Sequence, residues 1–290
     1  MTNPRLELCN VEGRSSLHFE GRVLDVERRS RGKFSADVMD ALSRWDEFCA
    51  WAKTERPQAG DAELKRSALG PCVPRPQQVF GIGLNFRDHA LEAKLPEPKK
   101  PMVFTKFPAC LSGAHAAVPL TSETVDWEVE LVVVIGRLAQ AVPLAQALDY
   151  VAGYCVGQDI SDRRLQMSDV PPQFSLGKSA PGFGPVGPWL VAREAVDPTQ
   201  LDMFCDVNGQ RMQAGNTRDM VFGVAELIAY LSAHCTLFPG DLIFTGTPAG
   251  VGSTRNPRMY LKPGDVVRSE IMGLGVIENT CERSALWRAV

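Results

Sequence analysis

The chain has 290 residues, enough for one large domain or a main domain with an appendage, and its 44% hydrophobic and 22% charged content is that of a globular protein with a sizeable core. A net charge of −3 gives neither nucleic acid nor an anionic membrane an electrostatic reason to bind, and no apolar run reaches the roughly 18 residues that a membrane-spanning helix needs. Its eight cysteines are scattered, with no CxxC pair and no closely spaced histidine, which argues against a zinc ribbon or a redox dithiol and makes them small core residues of a reducing compartment.

In chain order, the start from Met1 to Leu8 lacks the apolar core of a signal peptide, so the expected location is cytoplasmic. Short alternating segments around Leu6 to Leu8, Ser16 to Phe19 and Arg22 to Val26 read as strands, with Glu12-Gly13 and Glu20-Gly21 as turns. Val38, Leu42, Trp45 and Cys49 have helical spacing and predict a helix from Asp37 to Lys53. The proline-rich stretch from Gly70 to Pro76 marks a boundary, giving a small N-terminal α+β domain over 1–70 and a larger domain over 71–290.

Beyond the boundary the pattern gives a strand from Gln78 to Ile82 and a short helix from Phe86 to Ala93 that Asn85 would cap. A charged, proline-stiffened loop from Leu95 to Pro101 follows and reads as a possible lid. Strands are expected at Met102 to Lys106, Trp127 to Ile135 and Val151 to Gln158, then a helix from about Ser161 and strands at Trp189 to Val191 and Phe204 to Val207. Asn208-Gly209 is a hairpin signal. A helix from Val224 to His234, a strand from Asp241 to Thr245 and a hairpin of Val266 to Ile271 with Val276 to Cys281 complete the chain. Short strands dominate without regular βαβ alternation, so the fold class is α+β, mostly β.

Two nucleotide-binding patterns fail. In Gly81-Ile82-Gly83-Leu84-Asn85-Phe86 a phenylalanine stands where a dinucleotide fingerprint needs its third glycine, and Pro172 occupies the first glycine position of the P-loop that Gly177-Lys178-Ser179 would end.

Four groupings carry chemistry. Asp126, Glu128 and Glu130 alternate along one expected strand and so share a face, where three like charges need water, basic side chains or a cation to compensate them. Asp159, Arg163 and Gln166 fall at helical spacing. His89 and Glu92 lie three apart on the short helix, a spacing at which the carboxylate fixes the imidazole tautomer and raises its basicity. Lys106 and Lys178 sit in apolar, glycine-flanked stretches, and the small residues of Thr245 to Gly252 permit close approach of backbone and the Thr247 hydroxyl to a ligand.

Together these blocks, Gly-x-Asn-Phe-x-x-His, Asp-Trp-Glu-x-Glu-Leu, Gln-Asp-Ile-Ser-x-Arg, Gly-Lys-Ser, Val-Asn-Gly and Thr-Gly-Thr-Pro-x-Gly-Val-Gly, occur in an order that resembles the fumarylacetoacetate hydrolase family from about Pro71 to Cys281. The resemblance implies the family's mixed β-roll, a homodimer, and divalent-metal ligands at Glu128, Glu130 and Asp159. It further implies a water-activating dyad of His89 and Glu92, with Lys178 at the catalytic centre, and substrate-facing groups at Lys106, Arg163, Gln166 and Thr247. Phe86 replaces a frequent tyrosine, Arg164 stands where an aspartate is common, and Asp126 is not a usual ligand; it is expected just outside the metal shell, pairing a lysine or orienting a ligand.

Three carboxylates form a hard oxygen site suited to Mg²⁺ or Mn²⁺, with Ca²⁺ an acceptable substitute in crystals, and poor for zinc. The implied reaction is hydrolysis of the C3–C4 bond of an acylpyruvate or other 2,4-dioxo acid, in catabolism of aromatic compounds or sugar acids. The same enolate-stabilising machinery would alternatively serve oxaloacetate decarboxylation, tautomerisation or isomerisation of a 2-oxo-diene diacid.

Overall fold

The computed structural model describes residues 5–287; residues 1–4, part of the stretch read as lacking a leader, lie outside the described residues. The short-range signals act where they stand. Glu12 and Gly13 (φ 51° and 82°), Glu20 and Gly21 (47° and 86°) and Asn208 and Gly209 (51° and 76°) are pairs of left-handed residues that reverse the chain between paired strands.

An eleven-stranded mixed sheet forms the body. In spatial order its main path runs Ala62–Glu63, Arg22–Asp25, Arg14–Phe19, Glu7–Val11, Gly184–Ala192, Val151–Gln158, Val129–Ile135, Leu242–Phe244, Val79–Gly83 and Met102–Thr105, with Leu111–Ser112 added beside Gly184–Ala192. A five-stranded sheet (Gln210–Asn216, Asp202–Val207, Val266–Ile271, Gly275–Arg283, Val118–Leu120) packs against it. The chain is mostly β. The two units expected on either side of residue 70 share the large sheet, because Glu7–Val11 pairs antiparallel with Gly184–Ala192, Leu8 opposite Leu190.

Val129–Ile135 is the central strand and is buried along its whole length. Val129, Leu131, Val133 and Ile135 face the core between the two sheets, whereas Val132 and Val134 face a second core with Leu8, Phe34, Val38 and Phe48. A strand covered on both faces accounts for the unbroken apolar run in the sequence.

The single helix expected from Asp37 to Lys53 is two, Val38–Ser43 and Trp45–Ala52, broken at Arg44 (φ −127°, ψ 39°). The break carries the Arg44 guanidinium over the Phe34 ring, 4.6 Å from its centre, and onto the Lys33 carbonyl at 2.9 Å. The helix after Ser161 is a single turn, Arg163–Gln166, capped by Asp162 rather than Ser161. A short helix at Phe174–Gly177, absent from the sequence-based expectation, ends at Lys178.

Candidate active site

The alternation of Asp126, Glu128 and Glu130 does not survive as one strand. Val125–Asp126 pairs with Ser161–Asp162 in a small separate ladder, and regular strand geometry resumes only at Val129. Two glutamine side chains take over the backbone hydrogen bonding across this break: Gln158 Oε1 accepts from the Glu128 amide at 2.9 Å and Gln213 Oε1 from the Val129 amide at 3.0 Å. Asp126 is thereby turned away. It receives Arg163 Nε at 2.6 Å and the Ser253 amide at 2.7 Å. Its expected lysine partner is thus an arginine, and through Arg163, which also donates to Glu128, it orients a carboxylate of the site.

Glu128 and Glu130, from the start of the central strand, meet Asp159, which follows the end of the neighbouring strand Val151–Gln158. Each of the three offers a carboxylate oxygen, and these atoms all lie within 4.8 Å of one another. All three residues are buried. Around them stand three cations. Lys178 Nζ bridges Glu128 (2.7 Å) and Asp159 (2.6 Å), and Lys106 Nζ donates to the other Asp159 oxygen at 2.6 Å. Burial would lower the Lys178 ammonium, but Asp159 and Glu128 outweigh it and hold its pKa above its ordinary value. Burial likewise opposes ionisation of Glu128, yet Arg163 and Lys178 hold its carboxyl well below the usual range. Glu130 is the exception. It has no basic partner among the described residues, only the Gly246 amide at 2.8 Å, and burial, with Asp159 and Glu128 adding to it, pushes its carboxyl well up. Buried oxygen ligands gathered at this distance, one of them without a cation of its own, fit a hard divalent metal ion.

His89 and Glu92 lie on the helix Arg87–Glu92, with His89 Nδ1 3.3 Å from Glu92 Oε2. Burial raises the Glu92 carboxyl, but hydrogen bonds from His89 and the Gly250 amide more than offset it and leave it below its ordinary value. Both Glu92 oxygens receive the Gly250 amide at 3.1 Å, and Asp88 Oδ2 receives the Ala249 amide at 3.2 Å, so this helix is latched to the loop after Leu242–Phe244. The loop needs its glycine there: Gly250 has φ +107°, and a Cβ would lie 2.2 Å from the Met212 carbonyl oxygen. Asn85 does not cap the helix. Its buried amide bridges Thr245 O (2.7 Å) and Phe222 O (3.0 Å), tying the helix entry to the same loop, and Phe86 occupies the cap position without a side-chain bond.

Glu128 and Glu130 of the triad and the His89–Glu92 pair open on one cavity of about 1430 Å³, while the third carboxylate, Asp159, is fully buried and does not line it. Glu128, Glu130, His89, Glu92, Arg163, Gln166, Lys178 and Thr247 line it, as does Leu95 at the start of the loop read as a lid. Lys106 does not. It was expected to face substrate, but it is fully buried, and its ammonium is spent on Asp159, the Lys178 carbonyl and the Phe183 carbonyl (3.1 Å), beneath the triad. The Thr247 hydroxyl is also committed, donating to Val129 O and accepting from Gln213 Nε2, both at 2.8 Å. Gln166 accepts from Arg163 Nη1 at 2.9 Å. Gln158 and Gln213 were missed by sequence reasoning. Gln158 adjoins Asp159 and was within reach of a closer reading, whereas nothing local marks Gln213.

The chain belongs to the fumarylacetoacetate hydrolase family: residues 78–282 match the family's C-terminal domain. A provisionally named hydrolase of Burkholderia multivorans is 52% identical over 211 residues, 71% of this chain and 74% of that protein. Among solved structures, a provisionally named HpcE protein of Mycobacterium smegmatis superposes with a TM-score of 0.91 at 44% identity, covering 96% of this chain and 99% of that one. Maleylpyruvate hydrolase of Sphingobium sp. SYK-6, solved with manganese(II) and pyruvate, has a TM-score of 0.80 at 26% identity, covering 96% and 99%. No helix among the described residues is long and apolar enough to cross a membrane.

Proposed function

We propose that the chain is a divalent-metal-dependent hydrolase that cleaves the C3–C4 bond of an acylpyruvate or other 2,4-dioxo acid. The observation that carries the reading is the carboxylate triad, two of whose members, Glu128 and Glu130, line one cavity together with the His89–Glu92 pair while Asp159 is buried beside them. The manganese and pyruvate held by the maleylpyruvate hydrolase relative support it, since pyruvate is the fragment such a cleavage releases.

A Mg²⁺ or Mn²⁺ ion held by Glu128, Glu130 and Asp159 would supply Lewis-acid charge for the substrate's carboxylate and 2-oxo oxygens and for the enolate that develops on cleavage. The chain's own groups do the rest. Glu92 faces His89 Nδ1 and keeps the proton there, which leaves Nε2 to take a proton from water. The hydroxide so formed attacks the C4 carbonyl, the C3–C4 bond breaks with its electron pair passing to C3, and the products are a carboxylic acid and pyruvate enolate, which protonation converts to pyruvate. Lys178 presents its ammonium where the substrate's 2-oxo acid end would lie, and Arg163 and Gln166 fix the Glu128 side of the cavity. The homodimer implied by the family is part of the proposal, checked by light scattering of the purified chain.

Decarboxylation of an oxaloacetate-like acid, or isomerisation of a 2-oxo-diene diacid, would use the same enolate stabilisation. The latched His–Glu pair favours hydrolysis. Purified protein with Mn²⁺, incubated with acylpyruvates, fumarylpyruvate and oxaloacetate while pyruvate is measured, separates them: the proposal requires pyruvate and one equivalent of carboxylic acid from a dioxo acid.

A further inference from the structure

Gln213 lies on the strand Gln210–Asn216 of the five-stranded sheet, yet its side chain reaches the start of the central strand of the other sheet. The pairing register slips at Met212, since Cys205 faces Gln213 but Asp206 faces Arg211. A bulge of this kind re-aims the side chains beside it, and Met212 and Gln213, although adjacent, are both buried.

The Gln213 amide is used completely. Its Oε1 accepts from the Val129 amide at 3.0 Å, and Nε2 donates to Thr247 Oγ1 and to the Pro248 carbonyl, both at 2.8 Å. These partners fix its orientation, because a backbone N–H must meet the oxygen and a carbonyl must meet the nitrogen. Thr247 closes the circuit by donating to the Val129 carbonyl at 2.8 Å. Val129 is thus held at both its N–H and its C=O, and it is the residue between the candidate ligands Glu128 and Glu130.

The same loop also carries the contacts to the dyad. Past the Thr245 amide, which donates to the Leu131 carbonyl at 3.1 Å, the chain turns at Gly246 (φ +99°) and aims that amide at Glu130. Four residues on, the Gly250 amide holds Glu92. Between these two contacts Thr247 and Pro248 are held by Gln213, and Pro248 lies so close to the strand of Gln213 that a Cβ on Gly215 would come within 2.5 Å of it.

We propose that Gln213 is a positioning residue: by fastening Val129 and the Thr247–Pro248 segment to one amide, it sets the separation between the carboxylate triad and the His89–Glu92 pair. The competing account, in which Gln213 only satisfies buried backbone groups, predicts a loss of stability with neither end of the site altered.

The probe is Mn²⁺ on the full chain, and the variant is Gln213→Met, which is close in volume and removes all three bonds. Deleting a group that orients metal ligands costs about 10- to 100-fold in affinity. Calorimetry should show Mn²⁺ binding weakened by about that factor, with the electron paramagnetic resonance spectrum of the bound ion altered. In the metal-free protein, hydrogen exchange should rise selectively at Arg87–Glu92 and at residues 245–252. Thr247→Val should weaken Mn²⁺ binding in the same direction, and Thr247→Ser, which keeps the hydroxyl, should recover most of the affinity; this pair decides the matter if Gln213→Met does not fold. A lowered unfolding midpoint with parent-like Mn²⁺ affinity, or with exchange raised evenly along the chain, overturns the proposal, as does an equal loss in the two Thr247 variants. The effect on turnover rests on the proposed hydrolase function: kcat should fall with KM nearly unchanged. A parent enzyme that cleaves no dioxo acid sinks that function and leaves the binding and exchange tests standing.

Discussion

Replacing Lys106 by methionine keeps most of the side-chain length and removes the ammonium that lies under the triad. That ammonium is fully buried, 2.6 Å from Asp159 Oδ1 and in contact with the Lys178 and Phe183 carbonyls. Breaking a buried pair by deleting one partner costs about 3–5 kcal/mol, because the remaining charge is left in a medium that solvates it poorly. Asp159 keeps Lys178 on its other oxygen at 2.6 Å, which places the cost near the low end, about 3 kcal/mol. The two carbonyls that lose a donor add to it, though not additively. A loss of about 3 kcal/mol lowers the unfolding midpoint by roughly 6–12 °C for a chain of this size. The assay is thermal or guanidinium unfolding followed by circular dichroism, with EDTA present in both samples so that metal binding does not shift the midpoint. An unchanged midpoint together with a several-fold rise in KM for a 2-oxo acid would refute the reasoning and return Lys106 to the substrate side.

His89→Ala is expected to lower kcat by about 10²–10⁴-fold while Mn²⁺ affinity by calorimetry stays as in the parent, since His89 makes no bond to the triad. Burial, with Asp159 and Glu128 adding to it, pushes the Glu130 carboxyl up in the metal-free protein, and a metal ligated there requires its carboxylate form, so Mn²⁺ affinity measured by calorimetry across a pH series should increase with pH; an affinity independent of pH would contradict this. The same raised pKa means that Glu130 contributes to metal-free stability fully below the ordinary glutamate value of about 4.3 and loses that contribution as pH rises through its folded value. Glu130→Gln should therefore flatten the fall in metal-free stability on the alkaline side. Gly250→Ala should cost about 2 kcal/mol or more in stability and lower kcat, because a Cβ would meet the Met212 carbonyl and displace the amide that holds Glu92; parent-like unfolding and kinetics would contradict the latch.

The parts of the fold legible in the sequence were those decided within a few residues. Glu12-Gly13, Glu20-Gly21 and Asn208-Gly209 turn the chain because their residues tolerate positive φ, and the apolar run of Val129–Ile135 is read directly as a central strand. The alternation rule misplaced Asp126 because it assumes an unbroken strand. The break at Trp127 and Glu128 depends on Gln158 and Gln213, 30 and 84 residues away from the amides they serve. The identity of Glu128, Glu130 and Asp159 as a group came from the family's ordered motifs and not from spacing. Lys106 could be recognised as unlike a surface lysine, but its destination is set by carbonyls 72 and 77 residues further on. Local pattern carries no information about such partners.

Hydrolysis in ¹⁸O-labelled water tests the central claim most directly. Mn²⁺-loaded enzyme given a 2,4-dioxo acid should release pyruvate and an equimolar carboxylic acid that carries one ¹⁸O from solvent in its carboxyl group. Release of carbon dioxide from oxaloacetate under the same conditions, with the dioxo acid recovered intact, would contradict it.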